Sequence, residues 1–161
     1  MILYHASYQE VKRPVANYGR ILVDFGQGFY LTKLYEQAVA WAQTTAFKHR
    51  NAKPTVNVFL LDDEFFSSAY RFKSFPEYDS EWLDYVVDCR RRGSLQQQYD
   101  MVEGGVANDN VIDTVELYEK KYITAEQAIG QLRYKNVNHQ ICIHSQEVID
   151  KYLHFQQSIE L

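Results

Sequence analysis

Apolar residues along the chain alternate in some stretches and recur at helical spacing in others, which divides it into short strands and amphipathic helices. Ile2 to His5 is a short apolar opening of strand character, and Gly28 to Thr32 (GFYLT) is a second strand, rich in aromatic and β-branched residues. A polar loop joins them. From Leu34 the apolar positions recur at Ala38, Trp41, Ala42 and Thr45, the spacing of a helix with one buried face. Thr55 to Leu61 (TVNVFLL) predicts a buried strand, and Ala69 to Phe75 a weaker aromatic one. Ser80 is placed to cap a second helix with Trp82, Tyr85, Val86 and Cys89 on one face. Arg90, Arg91 and Arg92 complement the dipole at its end, and Gly93 follows.

Tyr99 to Val102 predicts a strand ending at Gly104 and Gly105, and Val111 to Lys121 a helix. Thr124 and Gln127 form a capping-box pattern before a short helix through Leu132. Gln140 to Ile143 alternates as a strand should, Ser145 caps a helix through Tyr152, and Leu153 to Phe155 closes the sheet. Strands and helices mix without regular alternation, so the fold class is α+β rather than a doubly wound sheet. With no repeat, low-complexity tract or linker, residues 1–161 read as a single domain.

Composition narrows the function classes. Seventeen basic residues against 21 acidic give a net charge of −4. Such a surface does not grip nucleic acid by phosphate neutralisation alone, although a nucleic acid remains open as a substrate. The aromatic share of 15%, dominated by 13 Tyr, suits half-buried strand surfaces and a ligand cleft. Only Cys89 and Cys142 are cysteines, the start carries no secretion signal, and no apolar run approaches the roughly 20 residues that span a bilayer. The expectation is a cytoplasmic protein with no membrane association and no structural disulfide.

The densest special segment is DFGQGFYLT, residues 24–32. In a strand, Gly28, Tyr30 and Thr32 share one face while Phe29 and Leu31 point to the other, so a glycine one pleat before the tyrosine leaves room for a flat ligand to stack. The Asp24–Phe25–Gly26 triplet lacks the other kinase motifs, and Gly26–Gln27–Gly28 lacks the third glycine of a dinucleotide fingerprint. His139 falls on the opposite strand face from Cys142 and His144, so no metal site is expected.

LYHAS near the start, DFGQGFYLT before a helix that supplies Gln37–Ala38 and Trp41–Ala42, YDMVEGGVAND, and NHQICIHS occur in that order. As a set they resemble a small bacterial branch of the ADP-ribosyltransferase superfamily, on its diphtheria-toxin and poly-ADP-ribose-polymerase side, over essentially the whole chain. The resemblance implies two small antiparallel sheets forming a split sandwich around an NAD cleft, flanked by helices, with NAD as substrate and no metal. The family signature is a His, a Tyr and a Glu on three strands. Carried over, His5 would bond the adenosine ribose, the backbone of Ala6 would hold the nicotinamide amide, and Tyr30 would stack on the nicotinamide ring. Ser7, Gly28 and Thr32 would complete the cofactor-binding set. Gln140 falls where the family has its glutamate, and Ala6 where many relatives have glycine.

The implied activity is NAD-dependent mono-ADP-ribosyl transfer to a macromolecular acceptor, protein or nucleic acid, by a toxin or defence effector with a neutralising antitoxin protein as partner. An NAD glycohydrolase and a catalytically silent NAD-binding or interaction domain are the alternatives. Glutamine can hold a ribose hydroxyl but brings no charge to the cation that develops as nicotinamide leaves. Asp24, Asp100, Asp109 and Glu147 are the carboxylates available to supply that charge.

Overall fold

The computed structural model describes residues 1–107, 111–132 and 138–161. Among them run strands β1 (Ile2–Ser7) and β2 (Phe29–Leu31), helix α1 (Tyr35–Phe47), strands β3 (Thr55–Leu61) and β4 (Phe72–Ser74), and helix α2 (Ser80–Arg90). Then come β5 (Met101–Gly104), helices α3 (Ile112–Glu119) and α4 (Ala125–Leu132), β6 (Gln140–Ile143), α5 (Gln146–Tyr152) and β7 (Leu153–Glu160). The fold is α+β with two sheets, as the irregular order of elements predicts. None of the helices among the described residues is long and apolar enough to cross a membrane.

The first sheet has the order β1-β3-β7 and is antiparallel throughout, with Leu3 opposite Phe59 and Phe59 opposite Phe155. The second has the order β2-β6-β5-β4. Here the expectation of wholly antiparallel sheets fails, because β4 and β5 pair in parallel. A parallel pair needs a crossover rather than a hairpin, and α2 with its flanking loops supplies it. The final strand is also longer than its apolar start suggests, since Gln156 to Glu160 carries the pairing with β3 on through polar residues.

Local signals set several helix ends. Thr124 and Gln127 close a reciprocal capping box, Thr124 N–H to Gln127 Oε1 at 2.8 Å and Gln127 N–H to Thr124 Oγ1 at 3.2 Å. Ser145 caps α5 through Val148 N–H. At α2 the cap is Asp79 rather than Ser80, its carboxylate accepting from Trp82 N–H at 2.8 Å. Beyond the helix end and its cap at Arg91, Arg92 stands at φ 59°, with Gly93 N–H returned to Asp88 O at 2.8 Å. Arginine, not the adjacent glycine, takes the left-handed turn.

Two apolar bodies lie on opposite faces of the second sheet. Between the sheets, Leu3 and Phe59 of the first meet Phe29, Leu31, Ile141 and Ile143 of the second. On the far side Cys142 and Val102 pack under Trp82, Val86, Val115 and Leu132 of the helices. Phe59 is fully buried and stands edge-on to Phe29 and Phe155, with ring centres 5.6 and 5.7 Å away. Phe59→Ala is therefore expected to cost about 3–5 kcal/mol of unfolding free energy, read as a lower midpoint in denaturant with little change in slope.

Candidate functional site

Backbone pairing places the strands of His5, Tyr30 and Gln140 side by side. Tyr4 and Thr32 exchange N–H···O bonds of 2.9 Å in both directions, which sets β1 against β2, and β2 pairs with β6 through Tyr30 opposite Cys142. Across the first junction the imidazole Nδ1 of His5 lies 2.8 Å from the Tyr30 carbonyl oxygen. A carbonyl only accepts, so Nδ1 holds the proton and Nε2 is left as an acceptor. Burial holds the His5 pKa below its ordinary 6.5 against the opposing pull of that carbonyl, which keeps the ring neutral at physiological pH.

The side chains themselves diverge. His5 lies with its ring 4.3 Å from that of Phe29, on the side of the inter-sheet core. Tyr30 and Gln140 leave the opposite face of the second sheet, toward the helices. The Tyr30 hydroxyl donates to Gly26 O at 2.8 Å and accepts from Phe25 N–H at 3.1 Å, so the turn before β2 is tied to its own tyrosine. Burial, helped by Cys142 alongside, pushes the phenol well above its usual pKa.

The space expected beside Gly28 is filled. A Cβ there would stand 2.4 Å from Cys142 Sγ and 2.8 Å from Ile143 O, so the glycine admits the neighbouring strand rather than a ligand. Thr32 is fully buried and accepts from Leu34 N–H at 3.1 Å and Gln37 Nε2 at 3.3 Å. Ser7 accepts from Gln9 N–H at 3.3 Å, and Ala6 packs toward Ala38 and Ala42 of α1. These positions serve the local fold in this structure.

Gln140 is 4% exposed, and its amide has a single chemically sensible orientation. Nε2 donates to Asp24 Oδ2 at 3.2 Å and to Gly105 O at 3.1 Å, both pure acceptors. Asp24 in turn accepts from Ala107 N–H at 2.8 Å and faces Arg90 Nη1 at 3.2 Å. Burial raises the Asp24 pKa, opposed by the Ala107 N–H, the Gln140 amide and the Arg90 charge. Trp82 Nε1–H also reaches Gly105 O, at 3.1 Å, and Tyr78 O–H reaches Val106 O at 3.0 Å. Together they pin the backbone from Gly105 to Ala107.

The other carboxylates singled out by sequence lie elsewhere. Asp100 is held by Arg71, whose backbone N–H and Nε approach it at 2.7 and 3.2 Å, and Glu147 accepts from the Tyr70 hydroxyl at 3.1 Å. Asp109 lies outside the described residues. Arg90 reaches Asp24 and Arg91 reaches Glu119, so at least two of the three arginines have specific partners beyond the helix dipole.

Sequence reasoning missed a cleft of about 220 Å³ lined by Lys33, Ser74, Glu103 and His139. Glu103 lies 3.5 Å from His139 Nε2 and accepts from Lys33 Nζ at 2.7 Å and Ser74 Oγ at 2.9 Å. The imidazole first, then the ammonium and hydroxyl, hold its carboxyl down at about 2. Alternation within YDMVEGG places Glu103 on the face away from Val102, but its partners come from three other segments. A second cleft, about 450 Å³, lies at Tyr8, Asn51, Lys53 and Glu160. Neither gathers His5, Tyr30 and Gln140. No group of three or more metal-ligating side chains occurs among the described residues.

Gly28→Ala is expected to destabilise the protein by about 1–3 kcal/mol through overpacking, and Cys142→Ala on top of it to recover only part, because Ile143 O stays in place. Thermal unfolding of the pair checks this. A second expectation concerns acid. His5 and His144 are both held below 6.5 by burial, so the unfolded chain binds more protons than the folded one just below that pH. Stability falls as pH drops from about 6.5, with the Glu103 contribution lost only as pH moves from 4.5 toward about 2. Melting temperatures from pH 7 to 5 test the sign, and His144→Asn, which keeps a donor for Gln27 O, should flatten the slope.

Comparison with known proteins returned no matching curated protein and no matching solved structure. The family model described as a protein of unknown function (DUF3990) matches residues 1–155, and the chain belongs to that family.

Proposed function

We propose that this domain binds NAD and transfers its ADP-ribose to a nucleophile on a macromolecular acceptor, in the manner of the ADP-ribosyltransferases its motifs resemble. The observation that carries the reading is the bond from His5 Nδ1–H to Tyr30 O. It joins the first two signature strands and fixes the imidazole in the tautomer whose Nε2 accepts a sugar hydroxyl. Gln140 follows on β6, the next strand of the sheet.

The bond from C1′ to the pyridinium nitrogen breaks with its electron pair passing to nicotinamide, which leaves neutral. The cation at C1′ is captured by a lone pair of the acceptor, whose proton is released to solvent. No strong acid is needed, so orientation and electrostatics supply the rate. In this reading His5 Nε2 holds a ribose hydroxyl, the Ala6 backbone meets the nicotinamide amide, Tyr30 offers its ring, and Gln140 Oε1 accepts the 2′-hydroxyl. A cytoplasmic setting and a neutralising protein partner belong to the same proposal.

A second reading, a catalytically silent NAD-binding or interaction domain, is favoured by two observations. His5 lies on one side of the second sheet, against Phe29, while Tyr30 and Gln140 leave the other, and both amide hydrogens of Gln140 are committed internally. Incubation with NAD labelled in the adenylate separates the readings. Transfer to an acceptor supports the proposal, free ADP-ribose alone indicates a glycohydrolase, binding without turnover indicates the silent NAD-binding domain, and absence of binding overturns every reading that uses NAD and leaves an interaction domain. In an active protein His5→Ala should lower turnover about 100-fold or more while the circular dichroism spectrum is kept.

A further inference from the structure

A glutamine carries no charge, yet this one is wired to a carboxylate. Asp24 is 8% exposed and buried with its oxygens turned to three donors: the Gln140 amide, the Ala107 N–H and Arg90. Because Asp24 Oδ2 and Gly105 O take both amide hydrogens, the side-chain acceptor Oε1 is left, and no donor among the described residues reaches it. An amide whose N–H groups point at an anion shifts electron density toward its oxygen, as linked hydrogen bonds in a low-dielectric interior do.

We propose that Asp24 is a positioning residue that lets Gln140 stand in for a catalytic carboxylate: it fixes the amide so that Oε1 faces the reacting sugar and polarises that oxygen from behind. The inference rests on the transferase reading above and names how its weakest signature position works. Oε1 accepts the ribose 2′-hydroxyl, and the negative charge behind it favours the cation that forms at C1′ as the bonding pair leaves with nicotinamide. Burial raises the Asp24 pKa, and the Ala107 N–H, the Gln140 amide and Arg90 oppose that rise, Arg90 also offsetting part of the charge. The arrangement differs from a direct glutamate in one respect: a carboxylate at position 140 would face Asp24 Oδ2 and Gly105 O, two acceptors, and repel both.

The test compares wild type, Asp24→Asn, the Asp24→Asn/Arg90→Gln double variant and Gln140→Glu, with NAD as the probe. The double variant removes both charges of the pair together, so that a fall in activity is not merely an uncompensated arginine. Expected is a kcat lowered about tenfold or more in both Asp24 variants with the calorimetric Kd for NAD changed less than about threefold. Gln140→Glu should also be slower than wild type. Independently of turnover, the Gln140 side-chain amide signals in ¹H–¹⁵N spectra should be protected from exchange in wild type and shift and lose protection in the double variant. Wild-type kcat in the double variant, a faster Gln140→Glu, or unaltered amide signals would each overturn the role of Asp24 while leaving the transferase reading in place. A wild-type protein that does not consume NAD, whether or not it binds it, overturns that reading, and this one with it.

Discussion

A carboxylate taken out of water must be met by donors or it will not stay ionised, and in this protein the requirement at Asp24 organises a large part of the structure. Its donors come from α2, from β6 and from the segment after β5. Asp24 itself sits in the turn before β2. One buried side chain therefore ties four segments that are far apart in sequence, and each must arrive correctly for the others to be satisfied. The Tyr30 hydroxyl, held by the same turn at Gly26 and Phe25, extends that constraint into the second sheet.

The sheets are fitted together by a different kind of contact. Phe29, Phe59 and Phe155 meet edge to face between them, and Leu3, Leu31, Ile141 and Ile143 fill the space around those rings. The two faces of the second sheet consequently do different work. Its inner face is apolar and closes on the first sheet. Its outer face mixes apolar residues with Gln140, Tyr30 and Cys142, under a roof of helices that carries Arg90 and Trp82. Polar chemistry of this buried kind is tolerable there because the backbone from Gly105 to Ala107 supplies the missing donors and acceptors.

The cleft at Glu103 shows how differently another carboxylate is managed. It lies against His139, Lys33 and Ser74 close to solvent and is held near 2, whereas Asp24 is deeper, raised by burial, and shared among neutral amides and one arginine. The first charge is held by the imidazole of His139 and the Lys33 ammonium. The second, in the proposal above, is passed on through Gln140.

The spacing of apolar residues was enough to place most elements within a few residues, because strands and helices with one buried face impose their periods directly on the chain. The capping box at Thr124, the cap at Ser145 and the strand from Thr55 to Leu61 all rest on neighbours in sequence, and so they were legible there. The choice of Asp79 over Ser80 as the cap of α2 was not, since adjacent residues offer the same oxygen and only the approach of the chain decides between them. Nor was the parallel pairing of β4 with β5, which depends on how the crossover packs. At the candidate site the sequence alone marked His5, Tyr30, Gln140 and Asp24 as residues of interest. Only the tertiary structure decided that Gly28 makes room for Cys142, that Gln140 and Asp24 touch, and that Glu103 gathers Lys33 and Ser74, because each of those contacts joins segments that no local rule brings together.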